Sequence, residues 1–181
     1  MQEDEQPDTM DSMDRDETLV VVDADNRPCR VARRDEIHRR NLYHRAVHIL
    51  VLNSKGEMFL QKRSANKDTY PGYWDTSVGG HVGPGESYDE AARREMMEEL
   101  GISCAIEAVG ELAASEATGW EFVRVYEAHC DGPLRPNPRE IAEGRFAAPD
   151  ALSRELRDSE ARFTPSFRES FFLWQRTRPA N

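Results

Sequence analysis

The segment Gly80–Ile102, GHVGPGESYDEAARREMMEELGI, decides how this chain is read. Pro84-Gly85 breaks the backbone, and Ser87 followed three residues later by Glu90 is a capping-box signature for a helix start. Good helix formers fill Ala91 to Leu100, and Gly101 suits the left-handed residue that closes a helix. At about 100° per residue, Glu95, Glu98 and Glu99 fall within about 100° of one another on one face. Ala92, Met96 and Leu100 form a separate apolar stripe turned toward a core. Like charges at these spacings oppose each other by about a few tenths of a kcal/mol per pair. A divalent cation offsets that cost, and hard oxygen ligands of this kind suit Mg²⁺ or Mn²⁺ bridging substrate phosphates. Three glutamates alone would ordinarily be a solvated helix face. The register of Gly80, Glu86, Arg94 and Gly101 with them favours a site.

Outward from this segment, the chain has the length of a single globular unit. Leu19 to Val22 reads as a short strand before a turn at Asp25-Asn26. Ala46 to Leu52 and Met58 to Lys62 read as a hairpin around Asn53-Ser54-Lys55-Gly56. Further strands are predicted near Ala108 to Ala114, Glu121 to Cys130 and Ile141 to Phe146. Helices follow from about Pro149 to Leu156 and Ser166 to Arg176. The pattern predicts an α/β chain whose mixed sheet lies between helices.

Net charge is −10, unevenly placed: residues 1 to 17 carry eight acids and one arginine, leaving only −3 on the rest. The apolar-poor segment 1–16 is predicted to be a disordered, solubilising acidic tail, followed by a domain at 17–176 and a C-terminal tail at 177–181. The acid excess argues against nucleic-acid partners. No apolar run approaches a membrane span, and the amino terminus lacks a signal-peptide pattern. Cys29, Cys104 and Cys130 are odd in number and far apart, so no disulfide is expected and a cytoplasmic setting is.

Gly80, Glu86, Arg94-Glu95, Met96, Glu98-Glu99, Gly101 and Ile102 fill all nine specified positions of the Nudix box. With ordinary residue frequencies such a match at one starting point has a chance on the order of 10⁻⁹. The chain therefore resembles the Nudix hydrolases from about Glu17 to Arg176. That resemblance implies an α/β/α sandwich in a single domain, and a metal-dependent enzyme cleaving a diphosphate linkage in a small molecule. It implies metal ligation by Glu95, Glu98 and Glu99, joined by a backbone carbonyl of Gly79 or Gly80. Glu86 and Arg94 then support the ligands by tying loop to helix. Glu98 is the first choice for general base, with Glu121 and Glu140 as alternatives; Glu95, Glu98 and Glu121 form the expected catalytic group. Homodimerisation is expected by resemblance only.

Outside the box, His44-Arg45-Ala46-Val47-His48, Gln61-Lys62-Arg63-Ser64, Tyr70-Pro71-Gly72-Tyr73-Trp74-Asp75 and Ser77-Val78-Gly79-Gly80-His81 resemble the isopentenyl-diphosphate isomerase-like branch. By that likeness Arg63 and Lys67 match diphosphate contacts, and His38, His44, His81 and Glu121 match parts of a metal site. Arg63, Lys67, His81 and Trp74 are thus the expected substrate-binding residues, although Trp74 beside Pro71-Gly72 also fits simple packing. His48, inside an apolar strand pattern, reads as a core histidine. The isomerase's catalytic cysteine falls at Gly79 and one of its metal glutamates at Gly119, while every box carboxylate is kept. Hydrolysis is favoured, with isomerisation or a non-catalytic nucleotide-sensing module as the alternatives.

Overall fold

A computed structural model describes residues 17–158 and 162–178. The acidic tail expected at 1–16 and residues 179–181 lie outside the described residues. The elements run β1 (Thr18–Val22), β2 (Pro28–Arg33), α1 (Arg34–Arg39), β3 (His44–Leu52), β4 (Met58–Arg63), β5 (Trp74–Asp75) and β6 (Val78–His81). Then follow α2 (Tyr88–Leu100), β7 (Ile106–Leu112), β8 (Glu121–His129), β9 (Ile141–Ala147), α3 (Pro149–Asp158) and α4 (Pro165–Thr177).

The order β5-β4-β3-β8-β7 makes the main path of a mixed sheet, with β6 added to β3 and β9 to β4. The β3–β8 pair is parallel and the others are antiparallel. Strand β3 divides the core because successive side chains point to opposite faces. Ala46, Leu50 and Leu52 join Leu152 and Leu156 of α3 and Phe167, Phe171 and Trp174 of α4. Val47, Ile49 and Val51 join Ala91, Ala92, Met96 and Leu100 of α2. The result is the expected α/β/α sandwich. A third, smaller cluster of Leu19, Val21, Ala32 and Ile37 holds the β1–β2 hairpin and α1 together.

Helix α2 forms as its sequence dictates. Ser87 accepts the Glu90 N–H, the Glu90 carboxylate accepts the Ser87 N–H, and Gly101 closes the helix at φ 64°. Met96 and Leu100 are fully buried, each contributing about 1.5–3 kcal/mol to holding the helix against the sheet. That anchoring fixes the glutamates beside them.

Several elements differ from the sequence expectation. Strand β7 begins two residues before Ala108, and β2, α1, β5 and β6 are additional. The cysteine expectation is corrected: Cys104, just past α2, is disulfide-bonded to Cys130 at the end of β8, with Cα atoms 6.2 Å apart. The fold brings together residues that sequence distance kept apart, and the cysteine-based argument for a reducing compartment loses its premise. Among the described residues no helix is long and apolar enough to cross a membrane.

Candidate active site

Sheet register assembles the site. Antiparallel pairing of β6 with β3 sets His81 against Ala46, Gly80 against Val47 and Gly79 against His48. Parallel pairing of β3 with β8 sets His44 directly opposite Glu121. These strand ends and one face of α2 line a cavity of about 340 Å³.

Arg94 organises the carboxylate side. Its Nε and Nη2 donate to the two oxygens of Glu86 at 2.8 and 2.9 Å, and Nη1 donates to Glu95 at 2.6 Å and Glu98 at 3.2 Å. Nη2 also reaches the His81 carbonyl at 2.9 Å, while Glu86 accepts the Gly83 N–H at 2.8 Å. The expected tie between loop and helix is therefore in place. Planar, forked donation of this kind is specific to arginine. Glu99 is nearly buried and accepts from Gln61 Nε2 at 2.9 Å and the Gly79 N–H at 3.3 Å. Glu95 lies directly on Gly80, where any Cβ would collide with its carboxyl. Only glycine allows that approach.

Packing acids together out of water shifts their protonation. Burial raises Glu95 to about 7 against the pull of Arg94. Burial and then the Glu95 charge push Glu99 well above the usual carboxylate range. Glu98, over half exposed, faces the open side of the cavity.

A second cluster shares the cavity. The rings of His38, His44 and His81 have centroids 5.0–5.2 Å apart. One ligand atom from each, with one carboxylate oxygen of Glu121, lies within 4.8 Å of the others. His44 Nδ1 donates to the Leu42 carbonyl at 2.9 Å. His44 Nε2 and His81 Nε2 stand 3.3 and 3.4 Å from Glu121 Oε1. His38 Nε2 and His44 Nε2 are nevertheless buried without a hydrogen-bond partner, an arrangement that costs about 1–3 kcal/mol per atom if nothing meets them. Burial alone would raise Glu121, but His44 and His81 hold it well below the usual carboxylate range. Burial opposes protonation of His81, yet Glu121 and Glu17 raise it to about 9. Burial and the neighbouring imidazoles lower His38 to about 4. Converging imidazole nitrogens around a carboxylate, two of them partnerless, form a group that could hold a divalent ion.

Most expected site residues meet in this cavity: Arg63, Lys67, Gly80, His81, Arg94, Glu95, Glu98, Glu99 and Glu121 all line it. Two basic contacts are already engaged. Arg63 donates to Asp75 at 3.0 Å and to the Thr69 carbonyl at 2.9 Å, and Lys67 is ion-paired with Glu140. Trp74, expected among the substrate contacts, does not line the cavity. It packs on the α3–α4 core, with the cations of Lys62 and Arg145 5.8 and 4.7 Å from its ring centre. The aromatic side chain at the cavity is Tyr70 instead, held at φ 50°. His48 is buried and hydrogen-bonded to Ser170 at 2.7 Å, as its strand position predicts. Gln61 and Glu17 went unassigned in the sequence. Gln61 sits in an apolar strand run, where a lone amide is a recognisable signal for a buried partner; nothing local marks Glu17.

The NUDIX domain model matches residues 42–167, most of the chain. An uncharacterized Nudix hydrolase of Pseudomonas aeruginosa is 39% identical over 142 residues, covering 78% of this chain and 84% of that protein. The isopentenyl-diphosphate Delta-isomerase of Burkholderia multivorans is 32% identical, over 84% of this chain and 89% of its own length. A crystal structure from Deinococcus radiodurans superposes with a TM-score of 0.76 at 28% identity, covering 90% of this chain and all of that one. The chain belongs to the Nudix family, in its isopentenyl-diphosphate isomerase-like branch. Membership supports pyrophosphate hydrolysis as the general activity.

Proposed function

We propose that this chain hydrolyses a diphosphate linkage in a small molecule, with divalent Mg²⁺ or Mn²⁺ as cofactor. The observation that carries this reading is the trio of Glu95, Glu98 and Glu99 facing one cavity, the first two bonded to Arg94 and the third to Gln61 and the Gly79 N–H. Glu95, Glu98, Glu99 and the Gly80 carbonyl are the groups that would hold the ions. Bound there, such ions would supply charge to neutralise the diphosphate and acidify a water. Glu98, more than half exposed and bonded to Arg94, is the residue that would take a proton from a water in the cavity. Glu86 and Arg94 keep the ligands oriented through the bonds given above. Glu121 is engaged by two histidines, so it serves the histidine cluster rather than as the base.

The histidine cluster and the isomerase-named relatives favour one competing reading, isoprenoid diphosphate isomerisation. Against it, Gly79 has no side chain to move a proton, and a Cβ there would stand 3.2 Å from Thr76 Cγ2 and 3.4 Å from His48 Cδ2. Incubation with Mg²⁺ and a panel of nucleotide, sugar and isoprenoid diphosphates separates the readings. Release of phosphate or a monophosphate, lost in Glu98→Gln, supports hydrolysis. Isomerised product without released phosphate overturns it, and equal inactivity of wild type and variant across the panel supports a non-catalytic module.

A further inference from the structure

Glu17 immediately precedes β1 and lies 64 residues from the histidine it meets. Its backbone is fixed: the carbonyl accepts the Arg34 N–H at 2.8 Å, at the first residue of α1. Its side chain reaches into the cavity. Oε1 stands 3.3 Å from His81 Nδ1, and Oε2 stands 3.4 Å from Arg34 Nε. Arg34 in turn donates to Asp68 at 2.7 Å, so the carboxylate is clamped from behind while it holds the ring in front.

The comparison with His44 gives this contact its meaning. His44 has its Nδ1 held by the Leu42 carbonyl, which leaves Nε2 facing Glu121 Oε1. His81 has its Nδ1 held by Glu17, which leaves Nε2 facing the same oxygen. The two rings are thus oriented alike, each with an oxygen behind Nδ1 and its Nε2 turned to Glu121. His38 adds a third buried nitrogen with no partner. An oxygen acceptor behind a ligating imidazole fixes its orientation and raises its basicity. An acidic acceptor also adds a negative charge next to a cation, which the Leu42 carbonyl does not.

We propose that Glu17 is a positioning residue for a transition-metal centre formed by His38, His44, His81 and Glu121. It acts by accepting the His81 Nδ1–H and so presenting Nε2 to the ion. The proposal rests on this histidine cluster being a metal centre, as distinct from the carboxylate trio of α2.

Co²⁺ titration of the chelator-stripped full chain, followed by visible absorption, tests both points separately. Wild type shows a ligand-field band that His44→Ala abolishes. Glu17→Gln, nearly isosteric, is expected to weaken Co²⁺ binding about 10- to 100-fold. Its Mg²⁺ affinity should match wild type, so that the loss is confined to the histidine centre, which a merely structural role would not allow. Glu17→Asp should recover part of the Co²⁺ affinity. Absence of any band in wild type removes the metal centre itself. A band of unchanged affinity in Glu17→Gln leaves the centre standing and overturns the role of Glu17. If Glu17→Gln does not fold, long-range ¹H–¹⁵N spectra of the Zn²⁺-loaded wild type decide. The proposal requires a proton on His81 Nδ1 and the metal on Nε2; the reverse arrangement refutes it.

Discussion

Replacing Glu95 with glutamine should make the metal-free protein more stable at alkaline pH while destroying its metal site. Glu95 is mostly buried beside Gly80, and burial raises its proton affinity from 4.5 to about 7. The folded state therefore binds a proton that the unfolded chain has released, so stability falls as pH rises from 4.5 through 7. At about 1.4 kcal/mol per pH unit, the penalty for ionised Glu95 approaches roughly 3 kcal/mol, of which about 2.5 accrues between pH 5 and pH 8. Glutamine has no proton to lose and keeps an oxygen for the Arg94 contact. Urea unfolding in EDTA, run for both proteins at about pH 5 and pH 8, measures the difference directly. Wild type should lose about 2.5 kcal/mol more than Glu95→Gln over that interval. His81 lowers both curves as pH rises, and removing the Glu95 charge also relieves Glu99, which adds to the difference in the same direction. Parallel pH dependence in the two proteins would show that Glu95 is not desolvated against its charge, and the argument for a metal-offset repulsion would fail with it.

Other consequences are equally direct. Arg94→Lys keeps the charge but not the fork that joins Glu86, Glu95, Glu98 and the His81 carbonyl. Calorimetry should show Mg²⁺ affinity falling about 10- to 100-fold. Glu98→Gln should reduce turnover by about 10²–10⁴-fold with an unchanged unfolding midpoint, since the side chain is mostly exposed. Trp74→Leu should lower stability by about 1–3 kcal/mol through lost packing and leave the KM of any substrate turned over unchanged, because the ring faces the α3–α4 core. In EDTA the protonated His81 contributes stability that is complete below 6.5 and lost as pH rises through about 9. His81→Asn should flatten that alkaline limb of a melting-temperature profile.

The carboxylate half of the site was legible because it is local. Ser87, Glu90 and Gly101 set the helix ends, Met96 and Leu100 set the buried face, and helical periodicity then fixes where Glu95, Glu98 and Glu99 point. Hairpin β3–β4 was legible for similar reasons: two apolar runs flank an Asn-to-Gly turn. What the sequence could not supply was non-local register. His44 meets Glu121 only through a parallel pairing across 77 residues, and Glu17 meets His81 because β1 packs beside β3. Trp74 went the wrong way for a related reason. Strand β5 is two residues long, too short for alternation to reveal which face each side chain takes. The Cys104–Cys130 link depends on where α2 ends relative to β8, a spatial fact with no mark in the spacing of three cysteines.

Calorimetric titration of the chelator-stripped chain with Mn²⁺, alone and with a non-hydrolysable diphosphate, bears most directly on the central claim. The account predicts saturable uptake by the wild type that the diphosphate analogue tightens and that Glu95→Gln reduces to what the histidine centre alone binds. No uptake at millimolar Mn²⁺ or Mg²⁺, with the analogue present, would contradict it.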